Sequence, residues 1–255
     1  MANSVNTNMG ANVALQTLNA TNKALATTQN RVSTGQAVSS AKDNGALFAI
    51  ATNQRAEMAA QSSVKQSLQR GQSIVDVALA AGETVVAALT EMKSLAVAIE
   101  AGGSSATTTA LQADYDALQT EIDNALAGAN FDGENLWTAS VSVITDTSAT
   151  AYTIGMGTPA DATPSSATAA NVQTAIEAFT ADMATLGTQS KSLERMVTFA
   201  GKMEDALEAG IGNLVDADLA KESAKLTALQ TKQQLGVQAL SIANSSSQIL
   251  LSLFR

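Results

Sequence analysis

Cysteine and histidine are both missing from this chain of 255 residues. Their absence removes the thiolate nucleophile, the imidazole base and the usual zinc ligands. No disulfide can close a loop, so cysteine usage gives no reading of the redox compartment. Proline is nearly absent too, with only Pro159 and Pro164, so nothing forces a kink over most of the length. Aromatics make up 3% and the apolar content rests on Ala, Leu and Val. That composition suits long packed helices better than a globule with a bulky centre. Cations are in deficit as well. The net charge of −9 argues against a nucleic-acid partner. No run approaches the ~18 consecutive apolar residues of a membrane span, and the opening MANSVNTNMGANVAL has neither the basic segment nor the long apolar segment of a cleaved signal peptide.

What is present is heptad spacing. In the last forty-one residues, Val215–Arg255, no charge occurs between Lys232 and Arg255, and two apolar seams run in three- and four-residue steps. One is Leu235, Ala239, Ile242, Ser246, Ile249, Leu253. The other is Leu226, Leu229, Gln233, Gly236, Leu240, Ala243, Ser247, Leu250, Phe254. A helix with two seams and no charged face needs a partner for each. Ten of the residues from 233 to 254 are Gln, Asn or Ser, which is too polar for lipid. Residues 1–22 mirror this end. They are uncharged and Asn-rich, with a seam at Ala11, Leu15, Leu18, Asn22, Leu25, Gln29, Val32, so the two ends are expected to pack on each other.

Between the ends, Thr34-Gly35 interrupts the first helix, and Ser39 or Ser40 is placed to cap the next. One long helix is expected from about Asp43 to Ala101, with a seam at Val75, Ala78, Gly82, Val85, Leu89, Met92, Ala96, Ile99, weakened locally by Gly71 and Gly82. A shorter amphipathic helix follows, ending near Gly128, then a turn at Asn130-Phe131-Asp132-Gly133. Val141 and Val143, then Tyr152 and Ile154, alternate with polar residues and predict a β-hairpin within 137–158, with Trp137 packed at its base. The heptad resumes from Val172 through Phe179, Leu186 and Leu193 to Ile211. Gly210 and Gly212 are expected to break it, and Asp216 to cap the last helix. The fold class is therefore mainly α: long antiparallel coiled-coil helices from both termini, with a small β-hairpin mid-chain. The expected division is a terminal coiled-coil domain from 1–40 with 215–255, and a helical rod domain at 41–214.

Charge is unevenly placed. Between Lys93 and Lys191 there is no Lys or Arg but there are eleven acids, so this interval carries −11 and the remainder sums to +2. Asp114, Asp116, Glu121 and Asp123 share one helix, a pattern that solvated helix faces also show. Asp132-Gly133-Glu134 does not complete a calcium loop, and no phosphate-binding or nucleophile-elbow motif occurs. No catalytic residue, cofactor or metal is assigned. Surplus apolar surface at uncharged ends is better explained by self-association, and head-to-tail contacts that do not close generate helical filaments.

The residues that carry a family resemblance are SVNTNMGANVALQTLN and RVSTGQAVSSAKDNGALFAIA at one end and NLVDADLAKESAKLTALQTKQQLGVQALSIANSSSQILLSLFR at the other. They resemble bacterial flagellin, the subunit of the flagellar filament, over residues 1–135 and 170–255, and most of all the short alphaproteobacterial forms. The resemblance implies a non-enzymatic subunit of an extracellular motility filament, with the terminal helices as inner core. The intervening stretch is too short for the outer domains of larger members. Leu15, Leu18, Leu25, Val32, Leu235, Leu240, Ile242, Ile249, Leu250, Leu253 and Phe254 are then the expected self-assembly interface. Implied partners are further copies, other flagellins, the type III export apparatus, and the cap and junction proteins, with no nucleic acid and no membrane. A hook–filament junction protein, which shares related ends, is the alternative. Many members are sensed by an innate-immune receptor through a basic residue and a Leu on the long helix and an acid on the next. The matching positions here are Glu91, Leu95 and Asp114, and Glu91 reverses the charge, so weak or absent recognition is expected.

Overall fold

A computed structural model describes residues 8–156, 162–164 and 166–252, with side chains through 245 in the last helix. The order is α1 (Met9–Thr34), α2 (Gly45–Glu100), α3 (Ser105–Gly128), β1 (Val141–Ile144), β2 (Ala151–Ile154), α4 (Ala169–Val215) and α5 (Leu219–Ser252). The mainly helical class with one mid-chain hairpin is as expected. The chain forms two compact units: Met1–Arg55 with Leu207–Arg255, and Ala56–Ala206.

In the second unit the core is the heptad seam of α2. Val75, Ala78, Val85, Leu89, Met92 and Ala96 are buried, and Val172, Phe179, Leu186, Leu193 and Ala200 of α4 are buried in the same cluster. Burying each such Val, Leu or Phe contributes about 1.5–3 kcal/mol. Two polar contacts fix the antiparallel register: Lys65 Nζ donates to Glu204 Oε2 at 2.8 Å, and Lys93 Nζ to Gln173 Oε1 at 2.5 Å. The bond to Glu204 and its charge hold the Lys65 ammonium above its ordinary value. From α3, Tyr115 and Ile122 enter the same core. Ser104 caps α3, its hydroxyl accepting from Thr107 N.

The hairpin follows from its alternation. Val141 pairs with Ile154 and Val143 with Tyr152, antiparallel, and Val141, Val143 and Ile154 are buried while Ser142 and Ile144 stay exposed. The Asp146 carboxylate closes the turn by accepting from Ser148 N and Thr150 N. Gln189 grips Gly155, donating to its carbonyl at 2.8 Å and accepting from its N–H at 3.0 Å. At the base, Trp137 stacks on Phe179 with ring centroids 4.4 Å apart, and its Nε1 donates to the Ala78 carbonyl at 3.1 Å. The preceding turn has Asp132 and Gly133 at positive φ, and Arg70 Nε donates to Asp132 Oδ2 at 2.6 Å.

Several boundaries differ from expectation. Gly210 and Gly212 lie inside α4, which runs on to Val215. Asp218, not Asp216, caps α5, its Oδ1 accepting from Lys221 N at 3.1 Å. Asn44 caps α2 by accepting from Ala46 N and Leu47 N. Ser39 and Ser40 are engaged elsewhere, donating through both backbone and hydroxyl to Asp43. Gly71 and Gly82 do not interrupt α2; each is a close-approach position. A methyl at Gly71 would stand 2.5 Å from Val143 Cγ1 and 2.9 Å from Ile154 Cδ1, and one at Gly82 would stand 3.1 Å from Met183 Sδ.

The hairpin therefore docks only because Gly71 is bare. Gly71→Ala gains helix propensity of about 1 kcal/mol yet forces Val143 and Ile154 away. A net destabilisation of about 1–3 kcal/mol is expected in urea unfolding. Unchanged or raised stability would show that the hairpin does not rest on this position.

Candidate self-association surfaces

The first unit is built on the pairing of α1 with α5. Asn8 begins it: its Oδ1 caps α1 by accepting from Ala11 N at 3.0 Å, and its Nδ2 donates to the Ala243 carbonyl at 2.8 Å. Farther along, Gln233 Nε2 donates to Asn22 Oδ1 at 2.8 Å. Arg31 Nη1 meets Glu222 Oε1 at 3.2 Å, with the Glu222 side chain only 11% exposed. Glu222 also has Lys225 at 3.8 Å. Gly236 lets the helices approach: a methyl there would lie 3.3 Å from Leu18 Cδ1.

The α1 seam is shifted from the expected one at alternate positions. Ala11, Leu18, Leu25 and Val32 face inward or are half-buried as expected. Between them the inward residues are Ala14, Thr21 and Thr28, not Leu15, Asn22 and Gln29, which are exposed. The seam keeps its three- and four-residue steps but takes the other choice at each d position. Threonine suits it because its hydroxyl can be satisfied locally while its methyl packs: Thr21 Oγ1 donates to the Thr17 carbonyl at 2.9 Å. Thr28 Oγ1 is buried and makes no hydrogen bond, a cost of about 1–3 kcal/mol that the pairing absorbs.

The two seams of α5 separate cleanly. Leu226, Leu229, Gln233, Gly236, Leu240 and Ala243 are half-buried on the side that carries the contacts to α1. The other seam is open: Leu235 is 59% and Ile242 68% exposed, and Ala239 is exposed as well. On α1, Leu15 is 46% exposed, with Val13 and Met9 more so. Of the expected interface residues, then, Leu18, Leu25, Val32 and Leu240 lie half-buried within the chain, and Leu15, Leu235 and Ile242 face outward. The side chains of Ile249 and Leu250, and Leu253 and Phe254 altogether, lie outside the described residues.

The connectors at the end of this pair are laced together. Ala37 N and Val38 N donate to the Val215 carbonyl at 2.7 and 3.3 Å, Ala217 N donates to the Gly35 carbonyl at 2.9 Å, and Gln36 and Asp216 form an isolated antiparallel bridge. Gly35 makes this possible by ending α1 at φ 72°. In the second unit, Glu91, Leu95 and Asp114, the positions implied by resemblance to contact a receptor, do come together. With Leu118 and Glu121 they line one groove of about 480 Å³ between α2 and α3.

Residues 5–142 match the family model of the bacterial flagellin N-terminal helical region, and residues 169–254 that of the C-terminal helical region. Flagellins FljK and FljM of Caulobacter vibrioides are each 48% identical, with 99% of this chain and 99% of each relative covered. A flagellin of Brucella melitensis is 38% identical at the same coverage.

The Asp43 knot beside these connectors depends on pH. Hydrogen bonds, that from the Ser40 hydroxyl foremost, hold the Asp43 carboxyl below its ordinary 3.8. A depressed carboxyl contributes its stabilisation above the ordinary value and loses it as pH falls through the lower, folded one. Protection of the Ser39 and Ser40 amides, normalised for intrinsic exchange, should fall on acidification below 3.8, and Asp43→Ala should show the low protection at neutral pH. Protection equal in both proteins at neutral pH would refute it.

Proposed function

The chain belongs to the bacterial flagellins, a family of structural filament subunits and not of enzymes, and on that premise we propose that its subunits join through the outward seam of α5 and the outward face of α1. The observation that carries this is the open seam of Leu235, Ala239 and Ile242 on a helix whose other seam is already occupied within the chain. Exposed apolar residues at heptad spacing on an uncharged helix form a strip that water does not favour, and a second helix covers such a strip best. On α1 the exposed Leu15 is the matching contribution. Leu18, Leu25, Val32 and Leu240 hold the pair together, and Ile249, Leu250, Leu253 and Phe254 continue the α5 pattern by their spacing.

In this reading residues 1–40 and 215–255 are the coiled-coil domain of the inner core and 41–214 the helical rod domain. The placement outside the cell follows the family. Delivery through the type III export apparatus, and contacts with cap and junction proteins, belong to the same reading. Nothing in the chain favours the junction protein.

Replacing Leu235 and Ile242 by Asp tests the seam. Both are exposed in the single chain, so monomer stability should move by no more than about 0.5 kcal/mol. Two charges in a closed apolar contact should cut sedimentable polymer by more than about tenfold. Polymer at the normal yield would remove these residues from the interface.

We also infer weak or absent recognition by the innate-immune receptor. The basic residue it reads in other members is replaced here by Glu91, beside Leu95 and Asp114, so that the groove presents acid where a cation is expected. Purified monomer should give little signal in a receptor reporter-cell assay, and Glu91→Arg should raise it. Full activation by the unaltered chain would overturn this.

A further inference from the structure

The seam between α1 and α5 does not specify its own register. Asn8 meets Ala243, Leu18 lies over Gly236, Asn22 meets Gln233 and Arg31 meets Glu222, so the helices run antiparallel in one frame. That frame sets Thr21 across from Gln233 and Thr28 across from Leu226. Moving α1 by one heptad towards the C-terminal end of α5, about 10 Å, sets up a second frame. Leu18 then lies across from Ala243, Thr21 from Leu240, Leu25 from Gly236 and Val32 from Leu229. Each of these is again small or apolar against small or apolar, and Gly236 would admit Leu25 as it now admits Leu18. Thr28, whose hydroxyl is buried without a hydrogen bond, would come across from the amide of Gln233. Apolar burial alone therefore gives little ground for choosing between the two frames.

Charge does distinguish them. α5 carries a single acid, Glu222, and α1 carries only two charged residues, Lys23 and Arg31. In the observed frame Arg31 Nη1 meets Glu222 Oε1 at 3.2 Å, with side chains 31% and 11% exposed. In the shifted frame Arg31 lies level with about Leu229, and Glu222 loses its partner on α1. The pair is a poor source of stability: Arg31 Nε and Glu222 Oε2 are both buried with no hydrogen bond, and a partly buried ion pair often gains little over apolar packing. Breaking it by removing one partner is costly all the same. An ion pair of that kind suits a choice of frame better than it suits added cohesion.

We propose that Arg31 and Glu222 are positioning residues that select the register of α1 against α5 and exclude the frame one heptad away. The two helices come from opposite ends of the chain, so the choice is made when they first pair. It also fixes where Leu15 stands along the outward seam of α5, because a heptad shift displaces it by about 10 Å. The register itself stands on the α1–α5 pair alone; its consequence for assembly rests on the filament reading.

The absence of native cysteine allows each frame to be trapped by its own disulfide. Thr28→Cys with Leu226→Cys reports the observed frame, and Thr21→Cys with Leu240→Cys the shifted one. Neither pair touches Asn22, Gln233, Arg31 or Glu222. After mild oxidation, the first should close in most copies of an otherwise unaltered chain and the second in few, in soluble chain and in polymer alike. Adding Arg31→Gln or Glu222→Gln should raise the second disulfide about tenfold at the expense of the first, and should cut sedimentable polymer several-fold. Arg31→Lys keeps the charge and should restore both the first disulfide and the polymer, which a loss of packing alone would not explain. Unchanged helix content by circular dichroism shows that the helices still form. Closure of the first disulfide at full yield in the Glu222→Gln chain, with none of the second, would show that the connector bonds hold the register unaided and would overturn the proposal. So would neither disulfide closing in the otherwise unaltered chain. Failure of the unaltered chain to polymerise would overturn the filament reading instead, and the disulfides of the soluble chain would still decide the register.

Discussion

The seam along α2 is the surface on which its unit rests. From Val64 to Ala96 one stripe of a single helix is buried, and α3, α4 and the hairpin each take a share of it. The stripe works because its members are of moderate size and strictly spaced. Ala78 and Ala96 admit neighbours, Gly71 admits the hairpin, Gly82 admits Met183, and Leu89 and Met92 fill the space between. The long helix has few aromatics to spend, and the ring pair it does support, Trp137 on Phe179, is anchored to its backbone at Ala78.

The α1–α5 pair is built on different terms. Its seam holds Thr21, Thr28, Gly236 and Gln233 where α2 holds Val, Leu and Met. Polar bonds at Asn8, Asn22 and Arg31 set its register more than they add stability, since each exchanges for a bond to water and nets about 1 kcal/mol. A weak internal seam leaves the pair dependent on whatever covers the outer seam. That dependence suits a subunit that must gain most of its order from neighbours: a helix pair satisfied within one chain would have little to gain from a second.

Much of this could be read from residue spacing, and the failures have physical causes. The α2 and α4 seams were legible because their large apolar residues admit only one heptad phase. The α1 seam was not, since Leu15 and Ala14 both fit a d position, and choosing the larger side chain puts Leu15, Asn22 and Gln29 inside. In the structure the smaller Ala14, Thr21 and Thr28 are inside, because a close helix pair excludes the bulk. Helix starts failed for a related reason. Ser39, Ser40 and Asp216 are good caps by composition, but Asn44 and Asp218 sit at the first free amides, and the two connectors are held to each other by bonds between residues far apart in sequence, which spacing does not reveal. Gly210 and Gly212 lower helix propensity by about 1 kcal/mol each, yet the flanking Ile211 and Val215 are buried, and that packing outweighs the loss.

Charge placement completes the division of labour. The stretch without cations, from Lys93 to Lys191, carries −11, and left to itself it would repel its counterpart in any array of copies. Much of that charge sits on α3 and the turns around the hairpin, where few cations of the same chain reach: Arg70 meets Asp132 and, at 3.9 Å, Glu134. A packed array of such chains must either keep these acids in solvent or bring cations from another copy. Among the described residues the α4 cations Lys191, Arg195 and Lys202 are in no ion pair; they follow the acidic stretch, and the last two flank the exposed Phe199. Uncharged ends that attract without choosing a register, and charged flanks that reject all but one register, are complementary requirements for a polymer that must be both cohesive and ordered.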